Sequence, residues 1–459
     1  MEAWLIPISF FSKRYFSINT LAIFPIAIYT LMLAYVIVTK HDSLSLIKFP
    51  KKALYFVLLF LLSQTAVDFF YFSKVKNDPG SPNLISGVFF GVYAVCFNIV
   101  VVALLVKFLI SYSENAKYHF IKSFYISFCL LGLIVLLPQL LVVLTNFGSS
   151  WVNLIGRFFE ERHAGRGDFY FMGSYTTTLR RINGLCSEAS FLAAQLGIVF
   201  IPVLLASLKN RFNIFNGTRD NTGILNWILL IFVWIILLFA KTSTGILVIF
   251  LSLLIMFFFE KMDRKVLYFV LGIIAMFGVV AAYFTIQPIR EIVNKYLLHK
   301  SGVSNRLGGT IGLIITFLHY PIFGVGNAYE SYYLMKFVPK STTNNWEFQD
   351  VFRQTGYPVQ SEFFSFFAHF GLIIMIPFLI YIVRKILLAH NLKKNITNSR
   401  ETNKEDLFHL TIIDAFYYFL IMYLCISFFS FGWFDNYYLV IFFFYLTVIN
   451  NYANKRGIL

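Results

Sequence analysis

The chain has 459 residues, 58% of them hydrophobic and only 13% charged, with 56 Phe and a formal net charge of +16. That composition excludes a soluble domain, and repeated apolar runs near bilayer length predict an all-α polytopic membrane protein. The positive charge does not indicate a nucleic-acid partner, because the lysines cluster in alternate short connections, as cytoplasmic loops do.

Apolar runs of roughly 20 residues, enough to cross a bilayer, fall at about 21–39, 53–72, 84–106, 121–146, 188–208, 223–240, 243–259, 266–286, 362–383, 409–428 and 436–452. That gives eleven spans, or twelve if a poorly marked segment near 1–20 also crosses. Trp4 to Phe11 is too short, and lacks the preceding basic region, to read as a cleavable signal peptide. The chain divides into N-terminal spans (1–146), a first long loop (147–187), central spans (188–286), a second long loop (287–361) and C-terminal spans (362–459). If the spans alternate, Lys40, Lys51, Lys107, Lys209, Arg264 and Arg384 share the cytoplasmic side, and both long loops lie outside.

Loops of this length are usually functional. The first begins at Trp151 with the spacing of an amphipathic surface helix, then is broken by Gly165, Gly167 and Gly173. The second contains an apolar stretch, Leu307 to Phe323, whose crossing would move Arg384, Lys393 and Lys394 outside. With Gly308, Gly309, Gly312 and His319-Tyr320-Pro321 it reads as a re-entrant or interfacial helix. Leu392 to Asp406, rich in Lys, Asn and Thr, reads as a solvated cytoplasmic loop. Cys96, Cys129, Cys186 and Cys425 are scattered, with neither metal spacing nor a disulfide framework.

Arginine and lysine are distributed differently. The inferred cytoplasmic segments hold 15 Lys and six Arg, whereas the two long outer loops hold eight Arg and four Lys. Topology needs only positive charge. Arginine's planar fork grips phosphate oxygens bidentately and suggests a fixed anion, such as a lipid phosphate or diphosphate. Arg157, Arg162 and Arg166 have Glu160, Glu161 and Asp168 as ready ion-pair partners; Arg181 and Arg306 open apolar helices instead. Helix N-termini are themselves phosphate sites, with Ser187 or Asn183 and Ser304 or Asn305 as candidate caps. Glu188 can complement a helix dipole, pair with Arg181 or act in catalysis. His319 reads as a turn histidine and His369 as one that either packs or hydrogen-bonds a neighbouring helix. Trp151, Tyr170, Tyr175, Tyr329 and Tyr357 are among the aromatic groups for either sugar stacking or an interfacial belt. No carboxylate cluster suggests a metal, and no nucleotide loop occurs.

The run Arg180-Arg181-Ile182-Asn183-Gly184-Leu185-Cys186-Ser187-Glu188-Ala189-Ser190 resembles the head of a span in the O-antigen polymerase and O-antigen ligase family. Three other stretches resemble family segments in the same order: Lys241-Thr242-Ser243-Thr244-Gly245, Arg306 to His319-Tyr320-Pro321-Ile322-Phe323-Gly324-Val325-Gly326, and Gln360-Ser361-Glu362 to Gly371. The resemblance covers roughly residues 180–375. It implies a GT-C-like helical fold and transfer of a glycan from undecaprenyl diphosphate, on the extracytoplasmic face of the bacterial inner membrane, without metal or nucleotide sugar. It maps diphosphate binding onto Arg181 and Arg306, with Glu188 as a further catalytic candidate and Arg180, Arg353, Tyr320, Gln360 and Glu362 as substrate contacts. Gln360-Ser361 stands where the ligase branch has His-Asn, and Ala189 replaces the usual proline, which favours a polymerase over a ligase. The implied partners are lipid-linked oligosaccharides and a chain-length regulator. A lipid-linked oligosaccharide flippase is the rival from another class. It would need ionisable residues within spans, for which Asp68 and Asp414 are the candidates.

Overall fold

A computed structural model describes residues 50–77, 81–162, 166–220, 222–259, 303–398, 403–429 and 435–458, with isolated positions between 30 and 39, between 265 and 284, and at 432. The expected span at 266–286, and most of that at 21–39, lie outside the described residues. The helices in chain order are α1 (Lys51–Val75), α2 (Leu84–Ser111), α3 (Ala116–Thr145), α4 (Ser149–Phe159), α5 (Tyr175–Leu179), α6 (Ala189–Asn210), α7 (Ile224–Phe239), α8 (Ser243–Phe259), α9 (Val303–His319), α10 (Glu330–Phe337), α11 (Glu362–Asn398), α12 (Lys404–Ser427) and α13 (Asn436–Lys455). No strand occurs among the described residues.

Six of these helices, α1, α2, α3, α6, α11 and α12, are long and apolar enough to cross a bilayer, so the chain is an all-α, multi-pass membrane protein. The expected spans at 223–240 and 243–259 form the shorter helices α7 and α8, of 16 and 17 residues. At 1.5 Å per residue each falls a few ångströms short of a roughly 30 Å hydrocarbon core. The most enclosed helix is α6: 89% of its apolar window is buried, against 22% for α2. It packs on α12, while α13 packs on α2. Phenylalanine fills the space between: the Phe124 and Phe128 rings lie 4.6 and 4.4 Å from Phe200, and Phe120 stacks on Phe444 at 4.4 Å.

Prolines leave a traceable mark on the spans. In α3 and α6 a π-helical turn, Gly132–Leu136 or Leu196–Phe200, runs up to a proline, Pro138 or Pro202. Proline has no N–H and its ring crowds the carbonyl four residues back, so the helix widens there. In α3 that carbonyl belongs to Ile134, and the Trp151 indole N–H donates to it at 3.0 Å. Trp151, a candidate sugar stacker by sequence, is engaged with the carbonyl that Pro138 leaves without its usual donor four residues on. It sits on α4, the expected amphipathic helix, whose Val152 and Gly156 face inward while Leu154 and Phe158 stay exposed.

One reading of the sequence is corrected. Residues 392–398 continue α11 rather than forming a solvated loop, because Ala389, Leu392 and Ile396 recur at helical spacing and pack into the main core.

The turn after α9 crosses α11 at the one point where that helix is interrupted. The span expected at 362–383 is broken at Gly371 (φ 61°, ψ −176°). The turn Tyr320–Gly326 fills the break. Val325 and Gly326 N–H donate to the Ala368 and His369 carbonyls at 2.9 and 3.0 Å; Leu372 and Ile373 N–H donate to the Pro321 and Ile322 carbonyls at 2.8 and 3.0 Å. Each half-helix thereby has its freed end capped by the turn, the condition for non-helical backbone at membrane depth. Glycine is required here: a Cβ at Gly324 would lie 2.2 Å from the His369 oxygen, and one at Gly371 2.4 Å from the Ile322 oxygen. The Pro321-x-x-Gly324-x-Gly326 pattern is therefore the complement of Gly371. α2 closes over the same turn, its Gly87 and Gly91 lying against Tyr329 and Ala328, a small-residue contact at four-residue spacing.

Candidate functional site

The arginine-bearing loop is built around Asn183 and Glu160. Asn183 Nδ2 donates to Glu160 Oε1 and to the Cys186 carbonyl, both at 2.6 Å, while its Oδ1 accepts from Thr176 Oγ1 at 2.9 Å. Glu160, 1% exposed, also accepts from the Tyr175 N–H at 3.1 Å. Gln139 of α3 exchanges two hydrogen bonds of 2.8 Å with the main chain of Gly184. Gly184 is left-handed (φ +61°), and a Cβ there would strike Leu192 at 2.9 Å. Asn183 and Gly184 are thus clamps, not ligands. The expectation that Asn183 or Ser187 caps α6 fails; Glu188 holds the cap position, without a side-chain cap.

Around this frame the sequence-predicted residues take distinct positions. Arg180, itself left-handed, donates Nη1 to the Val142 carbonyl at 2.6 Å, which ties the loop to the end of α3. Arg181 is half-buried, donates Nε to the Ala240 carbonyl at 3.2 Å and lies 5.8 Å from the Tyr175 ring centre. Ala240 leads into Lys241-Thr242-Ser243-Thr244-Gly245, where the Gly245 N–H donates to Thr242 Oγ1 at 2.9 Å and opens α8. Two stretches singled out in the sequence therefore meet. Glu188 is half-buried and accepts from Ser190 Oγ at 3.4 Å. Arg166 pairs with Asp168 through Nε at 3.1 Å and Nη2 at 3.2 Å, and the guanidinium holds the Asp168 carboxyl below its usual range.

In the second loop, α9 begins at Val303, so Ser304, Asn305 and Arg306 lie in its first turn. Asn305 is a buried clamp rather than a cap, bonded to Asn345 and Glu347, while Tyr357 OH donates to its carbonyl at 2.5 Å. Arg306 donates Nη1 to the Phe429 carbonyl at 3.2 Å, just beyond α12. Tyr320 packs between Tyr71 and Tyr333, with ring centres 5.4 and 5.2 Å away, in an aromatic cluster. Arg353 is exposed at the start of the short helical segment Arg353–Thr355. His319 stacks on Phe337 with Nδ1 2.9 Å from the carbonyl of Ile315 in its own helix. His369 is buried, and neither ring nitrogen has a partner among the described residues, so of the two expectations it packs rather than hydrogen-bonds a neighbouring helix.

The re-entering segment meets α12. Tyr423 OH donates to Glu362 Oε1, and Ser361 Oγ to the Ser427 carbonyl at 3.5 Å. Gln360 is half-buried, its Oε1 unpartnered among the described residues. Asp435, before α13, accepts from Tyr437 OH at 2.5 Å. Burial, together with the charges of Glu161, Asp435 and Glu160, pushes the Cys186 thiol up. Arg306 and Glu362 are accordingly both tied to the C-terminal end of α12. No group of three or more His, Cys, Asp or Glu able to hold a metal occurs among the described residues. No family model matches the chain, and a search of curated proteins finds no match.

Proposed function

We propose that the protein is a polysaccharide polymerase, a membrane glycosyltransferase that moves a growing glycan from undecaprenyl diphosphate onto a new lipid-linked repeat unit. In this reading the chain has 11–12 spans in a GT-C-like arrangement, sits in the bacterial inner membrane and works on the extracytoplasmic face. The observation that carries it is that the second arginine-bearing loop and the re-entering Glu362 segment both meet the end of α12, through Arg306 and Phe429 and through Glu362 and Tyr423, while Arg181 of the first loop meets the turn that opens α8.

The acceptor hydroxyl oxygen bonds to the anomeric carbon as the bond from that carbon to the diphosphate breaks. The electron pair leaves with the diphosphate, where Arg181 and Arg306 stabilise the developing charge. The hydroxyl proton passes to a carboxylate, Glu188 or Glu362. Gln360-Ser361 leaves the segment without a ligase-type histidine, which supports a polymerase over a ligase.

Cells lacking the protein should accumulate single lipid-linked repeat units and no long chains, visible when lipid-linked glycans are extracted and sized. Undiminished long-chain polymer on its lipid carrier would exclude a polymerase. For sidedness, cysteines placed at exposed Gly167 and Asn344 should react with an impermeant thiol reagent from outside intact cells, whereas one at exposed Asn398 should not.

A further inference from the structure

Of the two carboxylates expected within spans, Asp414 is fully engaged: Lys393 and Lys209 lie 2.5 and 3.1 Å from its oxygens, and Asn210 donates at 2.9 Å. Asp68 is the opposite case. It is completely buried in α1, and neither carboxylate oxygen has a hydrogen-bond partner among the described residues. Its surroundings are oxygen-rich. Gln64, one helical turn earlier and also fully buried, has an unpartnered Oε1 while its Nε2 points at the Phe323 carbonyl, 3.5 Å away. Thr65 Oγ1, Tyr329 OH and Glu330 Oε2 are likewise buried and unpartnered among the described residues.

Gln64 and Asp68 both reach the turn that fills the break, Gln64 at Phe323 and Asp68 at Gly326. Asp68 Oδ1 lies 2.4 Å from where a Gly326 Cβ would stand, so the carboxylate rests on the turn that fills the break. Tyr329 and Glu330 follow directly on this turn, three and four residues after Gly326. The neighbouring half-helix presents His369, whose carbonyl accepts from Gly326. An unpaired charge in low dielectric is strongly unfavourable, so a buried carboxylate without an ion-pair partner is neutralised by either a proton or a bound cation.

We propose that Asp68, with Gln64, Thr65, Tyr329 and the Phe323 carbonyl, forms a binding site for a small monovalent cation of the Na⁺ class, clamping α1 onto the interrupted-helix crossing. Hard cations favour oxygen donors, and interrupted helices in membranes supply carbonyls for Na⁺. One carboxylate against one positive charge leaves the site neutral, whereas a divalent ion would need Glu330 ionised as well. The inference does not depend on the polymerase reading.

The test uses the purified full-length chain in lipid nanodiscs. Thermal unfolding in NaCl, KCl and choline chloride at fixed ionic strength and pH should show saturable stabilisation by Na⁺, with at least about tenfold weaker apparent affinity in Asp68→Asn. Radiolabelled Na⁺ should bind the wild-type protein and be displaced by unlabelled Na⁺ but not by choline, a readout that survives if Asp68→Asn fails to fold. Identical unfolding in Na⁺ and choline would overturn the proposal. So would stabilisation that follows pH alone, which would mean a proton at Asp68, or stabilisation only by Ca²⁺ or Mg²⁺.

Discussion

The arginine loop and the interrupted-helix crossing solve opposite problems. In the loop, side chains complete the structure: Asn183, Glu160 and Gln139 occupy one another and the main chain, and the polar interior is consumed in holding shape. At the crossing the main chain completes itself, four N–H groups meeting four carbonyls across the break, while the side chains of Gln64, Asp68 and Tyr329 retain unpartnered oxygens among the described residues. A satisfied polar frame holds shape; orphaned polar atoms invite a ligand. The loop therefore offers its ligand only the arginines at its edge, whereas the crossing offers its interior.

Substitutions can break this contrast. The largest effect is expected at the crossing. Gly371→Ala adds a Cβ 2.4 Å from a backbone oxygen at a left-handed residue, so it should cost roughly 3 kcal/mol or more. It should appear as a sharp drop in unfolding midpoint and in monodisperse yield. Next comes Asn183→Ala, which strips one donor from buried Glu160 and leaves the Cys186 carbonyl short of a partner; about 2–3 kcal/mol is expected from the same measurement. Trp151→Phe keeps the ring but loses the donor to the Ile134 carbonyl. It should cost about 1 kcal/mol; a larger loss would mean that α4 depends on this contact for its docking.

Much of the fold was legible because hydropathy and helical spacing are local signals. α1, α2, α3, α6, α12 and amphipathic α4 stand where the apolar runs and the Trp151 pattern put them. The break at Gly371 was not legible, since one glycine in an apolar run is a weak mark and its partner turn begins some fifty residues earlier. Asn183 reads locally as a helix cap; its role as a clamp depends on Gln139, 44 residues away. The same distance limit hid the meeting of Arg181 with the Ala240 turn and of Arg306 with Phe429. Asp68 was visible as a carboxylate in a span, but its lack of a partner among the described residues, against the fully paired Asp414, needed the packed helices.

The central claim is that Arg181 and Arg306 hold a diphosphate through the geometry of the guanidinium. Lysine keeps the charge and loses the fork. With protein levels matched in the membrane, Arg181→Lys and Arg306→Lys should each cut polymer yield and length about tenfold or more, the consequence of losing about 1.4 kcal/mol of transition-state stabilisation. Arg157→Lys, on the exposed side of α4, should leave polymer unchanged. Full-length polymer at normal yield from both lysine variants would contradict the account, because a simple anchor needs only a long charged chain.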